Sequence, residues 1–191
     1  MKTIKENIIN EIDIKNSKFI TLLIKINNNN INSILEEIKT KYPKATHYCY
    51  AYIFNEIKKS SDDGEPGGTA GLPILNVIEK EELNNILVIV VRYFGGIKLG
   101  AGGLVRAYTK SVTEALKLSD YIYLEEGFKI ELEFNYSEEK QINYILKDSK
   151  ILNKEYNELI KYTVLINKNT KEKLNNYKYN IIENILIEKG S

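Results

Sequence analysis

Isoleucine, leucine and phenylalanine recur between polar residues through 3–13 and again through 17–27, with Lys15-Asn16 between the runs, which predicts a β-hairpin. The asparagine run 27–30 predicts a loop. Behind it Ile31, Ile34, Leu35 and Ile38 keep helical spacing up to Pro43, which predicts a helix over 31–42. Residues 45–54, ATHYCYAYIF, predict a strand with Ala45, His47, Cys49, Ala51 and Ile53 on one face and Thr46, Tyr48, Tyr50 and Tyr52 on the other. The polar, glycine-bearing stretch 55–68 reads as a loop. A helix follows from Thr69 as cap to about Glu82, with Pro73 in its first turn. Ile86 to Arg92 is a continuous apolar run suited to a strand buried on both faces. Gly95-Gly96 ends it, and a second helix runs from 101–103 to Leu118 on a stripe of Leu104, Ala107, Tyr108, Ser111, Ala115 and Leu118.

Beyond Asp120 the pattern shifts to Lys, Glu and Tyr alternating with apolar positions. It predicts strand 127–135, helix 137–148 opened by Ser137, strands 150–156 and 159–167, helix 170–179 opened by Asn169-Thr170, and strand 183–188. The order βαββαβ is that of a ferredoxin-like sandwich. Two α+β domains are expected, 1–122 and 123–191, which suits a chain of 191 residues.

Composition narrows the class without naming a function. At 43% hydrophobic and 28% charged residues the chain reads as globular, and its longest apolar run, 86–91, is far short of a membrane span. The start MKTIKENIINEID lacks a signal-peptide pattern and Cys49 is the single cysteine, so a reducing, cytoplasmic setting is expected. Net charge is +1, divided as +2 up to Asp120 (16 Lys/Arg against 14 Asp/Glu) and −1 beyond it (11 against 12). Neither part is basic enough to bind nucleic acid through overall charge, so such binding would need a local patch.

Chemistry concentrates between Ser61 and Ala107. Nine of eleven glycines and both arginines, Arg92 and Arg106, lie there. The segment GGIKLGAGGLVRA follows a strand and opens a helix, so Gly95, Gly96, Gly100, Gly102 and Gly103 either cradle an anion on backbone amides, aided by Lys98 and Arg106, or permit tight turns. It matches neither the dinucleotide fingerprint nor the P-loop. Arg92, ending a buried strand, needs an anionic partner: a carboxylate of the loop Asp62-Asp63-Gly64-Glu65, or a phosphate from outside. The same carboxylates lack the spacing of a calcium loop, and no metal site is expected. His47 shares a strand face with Cys49, and His47, Asp63 and Glu65 are the candidates for acid–base chemistry. The tyrosines at 48, 50 and 52 either stack bases or line an ordinary aromatic strip.

The blocks ATHYCYAY (45–52), DDGEPGGTAGLPIL (62–75) and VVRYFGGIKLGAGGLVRAYTKSV (90–112) resemble the YigZ/IMPACT family, in its bacterial two-domain branch. Where that pattern usually has a serine this chain has Gly67, and where it often has asparagine it has Tyr48. The resemblance implies a ribosomal-protein-like α/β domain containing a left-handed βαβ crossover, followed by a ferredoxin-like domain similar to the last domain of elongation factor G. It also implies association with translation or nucleic acid. The reading that results is a cytosolic, non-catalytic protein whose partner is RNA or the ribosome. Regulation of translation is its expected role, with phosphate met by Arg92, Lys98, Arg106 and the glycines. The alternative is an enzyme, a hydrolase among the options, acting on a small anionic substrate in a cleft of His47, Asp63 and Arg106. No cofactor is implied, and oligomeric state leaves no signal in the sequence.

Overall fold

The computed structural model describes residues 1–27 and 30–189. Positions 28 and 29 of the predicted asparagine loop lie outside the described residues. Contacts divide the chain into Met1–Ile122 and Tyr123–Ser191.

The first unit is one antiparallel sheet with helices on both faces. After β1 (Lys2–Ile4), the hairpin β2 (Ile8–Ile14) and β3 (Ser17–Lys25) turns at Lys15 and Asn16, with φ of 47° and 63°. Two consecutive left-handed residues match the twist of the strands they join. Then come α1 (Ile31–Lys41), β4 (His47–Phe54), β5 (Ile57–Ser61), α2 (Gly71–Lys80), β6 (Ile86–Tyr93) and α3 (Ala101–Leu116). The sheet order is β2-β3-β6-β4-β5. β6 is central, and Ile86 to Val91 have no exposed surface. Its even residues Ile86, Val88 and Val90 join α2 and α3 in one core, while Leu87, Ile89 and Val91 join α1 in another.

The two helical crossovers have opposite hands. β3 and β4 are parallel, with β6 between them, and are joined by α1; β5 and β6 are parallel, with β4 between them, and are joined through α2. Turned to point the same way, both connections step in the same sense across the sheet. Yet α1 covers one face and α2 the other. One crossover is therefore left-handed, the exception to the usual rule that the resemblance implies.

Several expectations need correction. The stretch 55–68 contains β5, an edge strand whose Lys58, Lys59, Ser60 and Ser61 show no apolar alternation because an edge is kept polar. Leu118 lies beyond α3 and is 60% exposed, the stripe being completed by Val112 and Leu116. Tyr48, Tyr50 and Tyr52 pack into the α1 core and form no free strip for bases.

The second unit holds β7 (Tyr121–Phe134, beginning at the end of the first unit), a 3-10 turn (136–138), α4 (Glu139–Ile145), β8 (Lys150–Tyr156), β9 (Ile160–Asn167), α5 (Lys168–Lys173) and β10 (Lys178–Glu188). Pairing gives the antiparallel order β10-β7-β9-β8, that of the βαββαβ sandwich. Asn135, with Glu138 in a capping box, opens the first helical segment in place of Ser137. Asn167 accepts the Thr170 N–H at the second, so both helices start earlier and stop sooner than predicted. The open sheet face is self-neutralised: Lys161 lies 3.3 Å from both Glu131 and Glu133, and Lys178 lies 3.9 Å from Glu133. No helix among the described residues is long and apolar enough to cross a membrane.

Candidate functional site

The loop 62–68 is tied inward by all three of its carboxylates. Asp63 and Gly64 adopt φ of 44° and 85°, a reversal that sends Asp62 towards α2 and Glu65 beneath the loop. Asp62 accepts the amides of Ala70 and Gly71 on Oδ1 at 2.9 and 2.8 Å, and that of Gly68 on Oδ2 at 2.8 Å. It thereby caps α2 from eight residues upstream. The helix starts after Ala70, and Thr69, predicted as the cap, donates instead to the Pro66 carbonyl. Burial alone would raise the Asp62 pKa, but the three amide donors outweigh it and hold the group below the ordinary carboxylate value. Asp63 accepts the Tyr48 amide at 2.6 Å, and its carbonyl accepts Nδ1–H of His47 at 2.8 Å.

Glu65 occupies the centre, its side chain 3% exposed. Oε1 accepts Arg92 Nη1 at 2.6 Å and the Tyr108 hydroxyl at 2.7 Å, while Oε2 lies 3.8 Å from His47 Nε2. The Arg92 guanidinium also donates to Ser17 Oγ at 3.3 Å and lies 5.4 and 5.6 Å from the rings of Phe19 and Phe94. Burial pushes the Tyr108 hydroxyl far up, so it remains a donor. Burial likewise pushes the Cys49 thiol up to about 12, and its sulfur lies 2.9 Å from the Asp62 carbonyl and 3.3 Å from the Tyr108 hydroxyl. One buried carboxylate thus pins the adjoining ends of β4 and β6 to α3 and to the loop.

This arrangement answers the two questions left open by the arginines. Arg92 has an internal partner, Glu65, and is withdrawn from any external phosphate. Glu65 is committed to an arginine and a tyrosine, Asp63 holds the Tyr48 amide on one oxygen, and Arg106 makes no ion pair with the 62–65 carboxylates among the described residues. Of the predicted cleft, His47 and Asp63 are joined through the Asp63 carbonyl, and Arg106 makes no ion pair to either among the described residues. His47 lies beneath Gly64, whose added Cβ would stand 3.5 Å from Nδ1.

The basic glycine segment divides in the same way. Gly95 serves packing, since a Cβ there would stand 1.9 Å from the Asn16 carbonyl oxygen, and its amide donates to Ser17 Oγ. Gly103 is held close to Leu99. Gly96 and Gly100, with φ of 85° and 71°, need glycine for the turn, yet nothing lies within 4 Å of either Cβ position. Gly102 is open except for Arg106, whose Nη1 lies 3.6 Å from the Cβ position and so beside the first turn of α3. Among the described residues no side chain caps the start of α3, in contrast to α2. Lys98, Arg106 and Lys110 are exposed around it, and none forms an ion pair among the described residues. Lys110 has no sequence signal beyond its i+4 spacing from Arg106.

A model of the Impact N-terminal domain matches residues 15–116, which run from β3 to α3 and include the loop. The IMPACT family member YvyE of Bacillus subtilis is 48% identical over 118 residues, covering 60% of this chain and 54% of its own. The IMPACT family member YigZ of Escherichia coli is 40% identical over 111 residues, covering 55% and 54%. The chain thus spans about half the length of the curated relatives it matches. A crystal structure of a hypothetical protein superposes with a TM-score of 0.74 at 29% identity, covering 95% of this chain and 97% of that one.

Proposed function

This chain belongs to the YigZ/IMPACT family, and from that premise we propose that it is an RNA- or ribosome-associated protein with a role in translation, meeting phosphate at the amino-terminal end of α3. The observation that carries the reading is the contrast between two helix starts. A helix amino terminus presents amides without intrahelical partners and the positive end of its dipole. At α2 the chain answers these with the Asp62 carboxylate. At α3 it offers Gly100, Ala101 and Gly102 at the surface beside Lys98, Arg106 and Lys110. Arg106 and Lys110 lie one helical repeat apart, so the cations continue the amide cluster along one stripe of the helix.

Two further features support the setting in translation. The opposite-handed crossovers and the βαββαβ order are what the resemblance to a ribosomal-protein domain and to the last domain of elongation factor G implies. Near-neutral net charge makes the interaction local, so a few contacts should dominate it. The test is binding of a mixed-sequence RNA and of ribosomes to the wild type and to Lys98→Ala/Arg106→Ala/Lys110→Ala. Weakened binding in the triple variant supports the reading, and unchanged affinity removes it.

A further inference from the structure

We propose that the groove between α2 and α3 is a docking site for an acidic amphipathic helix of a partner protein, anchored on apolar positions that the phosphate contacts of α3 do not use. The groove encloses about 360 Å³. Val77 lies in it, with Leu72, Asn76 and Lys80 along α2 and Val105 and Thr109 along α3. Leu72 is 50% exposed and Val105 38%, although both belong to helices whose core-facing residues are buried.

Shape and charge select the occupant. Leu72, Asn76 and Lys80 follow one another at four-residue spacing, a ridge of about 12 Å at 1.5 Å per residue. That matches about two turns of a third helix laid in the groove, with apolar anchors at i, i+3 or i+4, and i+7. Lys80 is the groove's own charge, while Arg106 and Lys110 follow Val105 and Thr109 on the adjoining stripe of α3. Three of the neighbouring carboxylates are already taken, Glu79 by Lys58 at 2.7 Å, Glu81 by Lys2 at 3.6 Å and Glu114 by Lys117 at 2.7 Å, which leaves the exposed Glu82 past the end of α2 against Lys80, Arg106 and Lys110. The surroundings are therefore cationic in effect, and complementary to a helix carrying glutamate or aspartate on its flanks. An apolar floor without an aromatic ring suits side chains of a protein and offers nucleic acid no stacking surface.

The experiment uses the full chain and two labelled helical peptides with the same leucine stripe, one flanked by glutamates and the other by lysines, followed by fluorescence anisotropy. The acidic peptide saturates and the lysine peptide does not. Leu72→Asn/Val105→Asn, which alters two exposed positions without changing charge, weakens the acidic peptide at least tenfold, and Lys80→Glu weakens it as well. Circular dichroism confirms that the variants fold. Failure of the acidic peptide to saturate, equal binding of the lysine peptide, or full affinity in the Asn variant would each overturn the proposal. RNA binding is measured on the same variants. An RNA affinity that falls by the same factor in the Asn variant would assign the groove to nucleic acid and also overturn it, whereas loss of RNA binding in the Lys98/Arg106/Lys110 variant alone concerns the phosphate contacts.

Discussion

Replacing Glu65 by alanine should unfold the first unit under conditions where the native chain is secure. The substitution strips the Arg92 guanidinium, whose side chain is 5% exposed, of its carboxylate, and leaves the Tyr108 hydroxyl without its acceptor. Removing one partner of a buried ion pair costs about 3–5 kcal/mol, because the remaining charge stays desolvated. At roughly 4 °C per kcal/mol for a unit of this size, the melting temperature should fall by about 12–20 °C. Arg92→Met should cost a similar amount, since it leaves Glu65 with only Tyr108 and His47. The double variant Glu65→Met/Arg92→Met should be less damaging than either single, because an apolar pair replaces the charges and no ion is stranded. The chain has no tryptophan and divides into two units, so urea unfolding by circular dichroism should be paired with amide exchange in β6, which reads the first unit alone. Single variants that cost under about 1 kcal/mol, or a double whose cost is the sum of the singles, would refute the reasoning.

Asp62→Ala should lower stability by about 1–2 kcal/mol through loss of the α2 cap, seen as faster exchange at Ala70 and Gly71. Because the folded-state pKa of Asp62 is depressed, its contribution is present above the unfolded value near 3.8 and is lost as pH falls through the folded value. An acid titration should therefore show those amides opening early in the wild type, and no such acid-dependent step in Asp62→Ala. Gly95→Ala should fail to accumulate as folded protein, given the 1.9 Å approach to the Asn16 carbonyl, whereas Gly67→Ser should melt within a degree or two of the wild type, nothing lying within 4 Å of its Cβ position. Cys49, with its thiol pushed up to about 12 by burial, should resist alkylation at pH 8 until the unit opens; labelling at the rate of a free thiol by mass spectrometry contradicts this.

Legibility in the sequence followed the range of the interactions. The central strand and the α3 stripe were visible because burial on two faces or one writes itself into local periodicity. β5 was not, because an edge strand is selected by the backbone of its neighbour and its exposed side chains carry no pattern. The cap of α2 was missed for a related reason: Asp62 reaches Ala70 and Gly71 through a folded loop, and a rule that inspects adjacent residues finds Thr69 instead. The two arginines stood out by type, but which acid would take Arg92 depended on the reversal at Asp63 and Gly64 that turns Glu65 inward. Exposure of Leu72 and Val105 depends on how two helices lie side by side on the sheet, which neither helix encodes alone.

The central claim is that external phosphate meets the amino-terminal end of α3. Its most direct measurement is the affinity for RNA, and for ribosomes, as a function of salt in the wild type and in Lys98→Ala/Arg106→Ala/Lys110→Ala. Each lost phosphate contact removes about 0.7–0.9 from the slope of log K against log salt, so the triple variant should bind more weakly at low salt with a slope shallower by about 2–3. Binding with the same slope and affinity in both proteins, or no binding by the wild type, would contradict the claim.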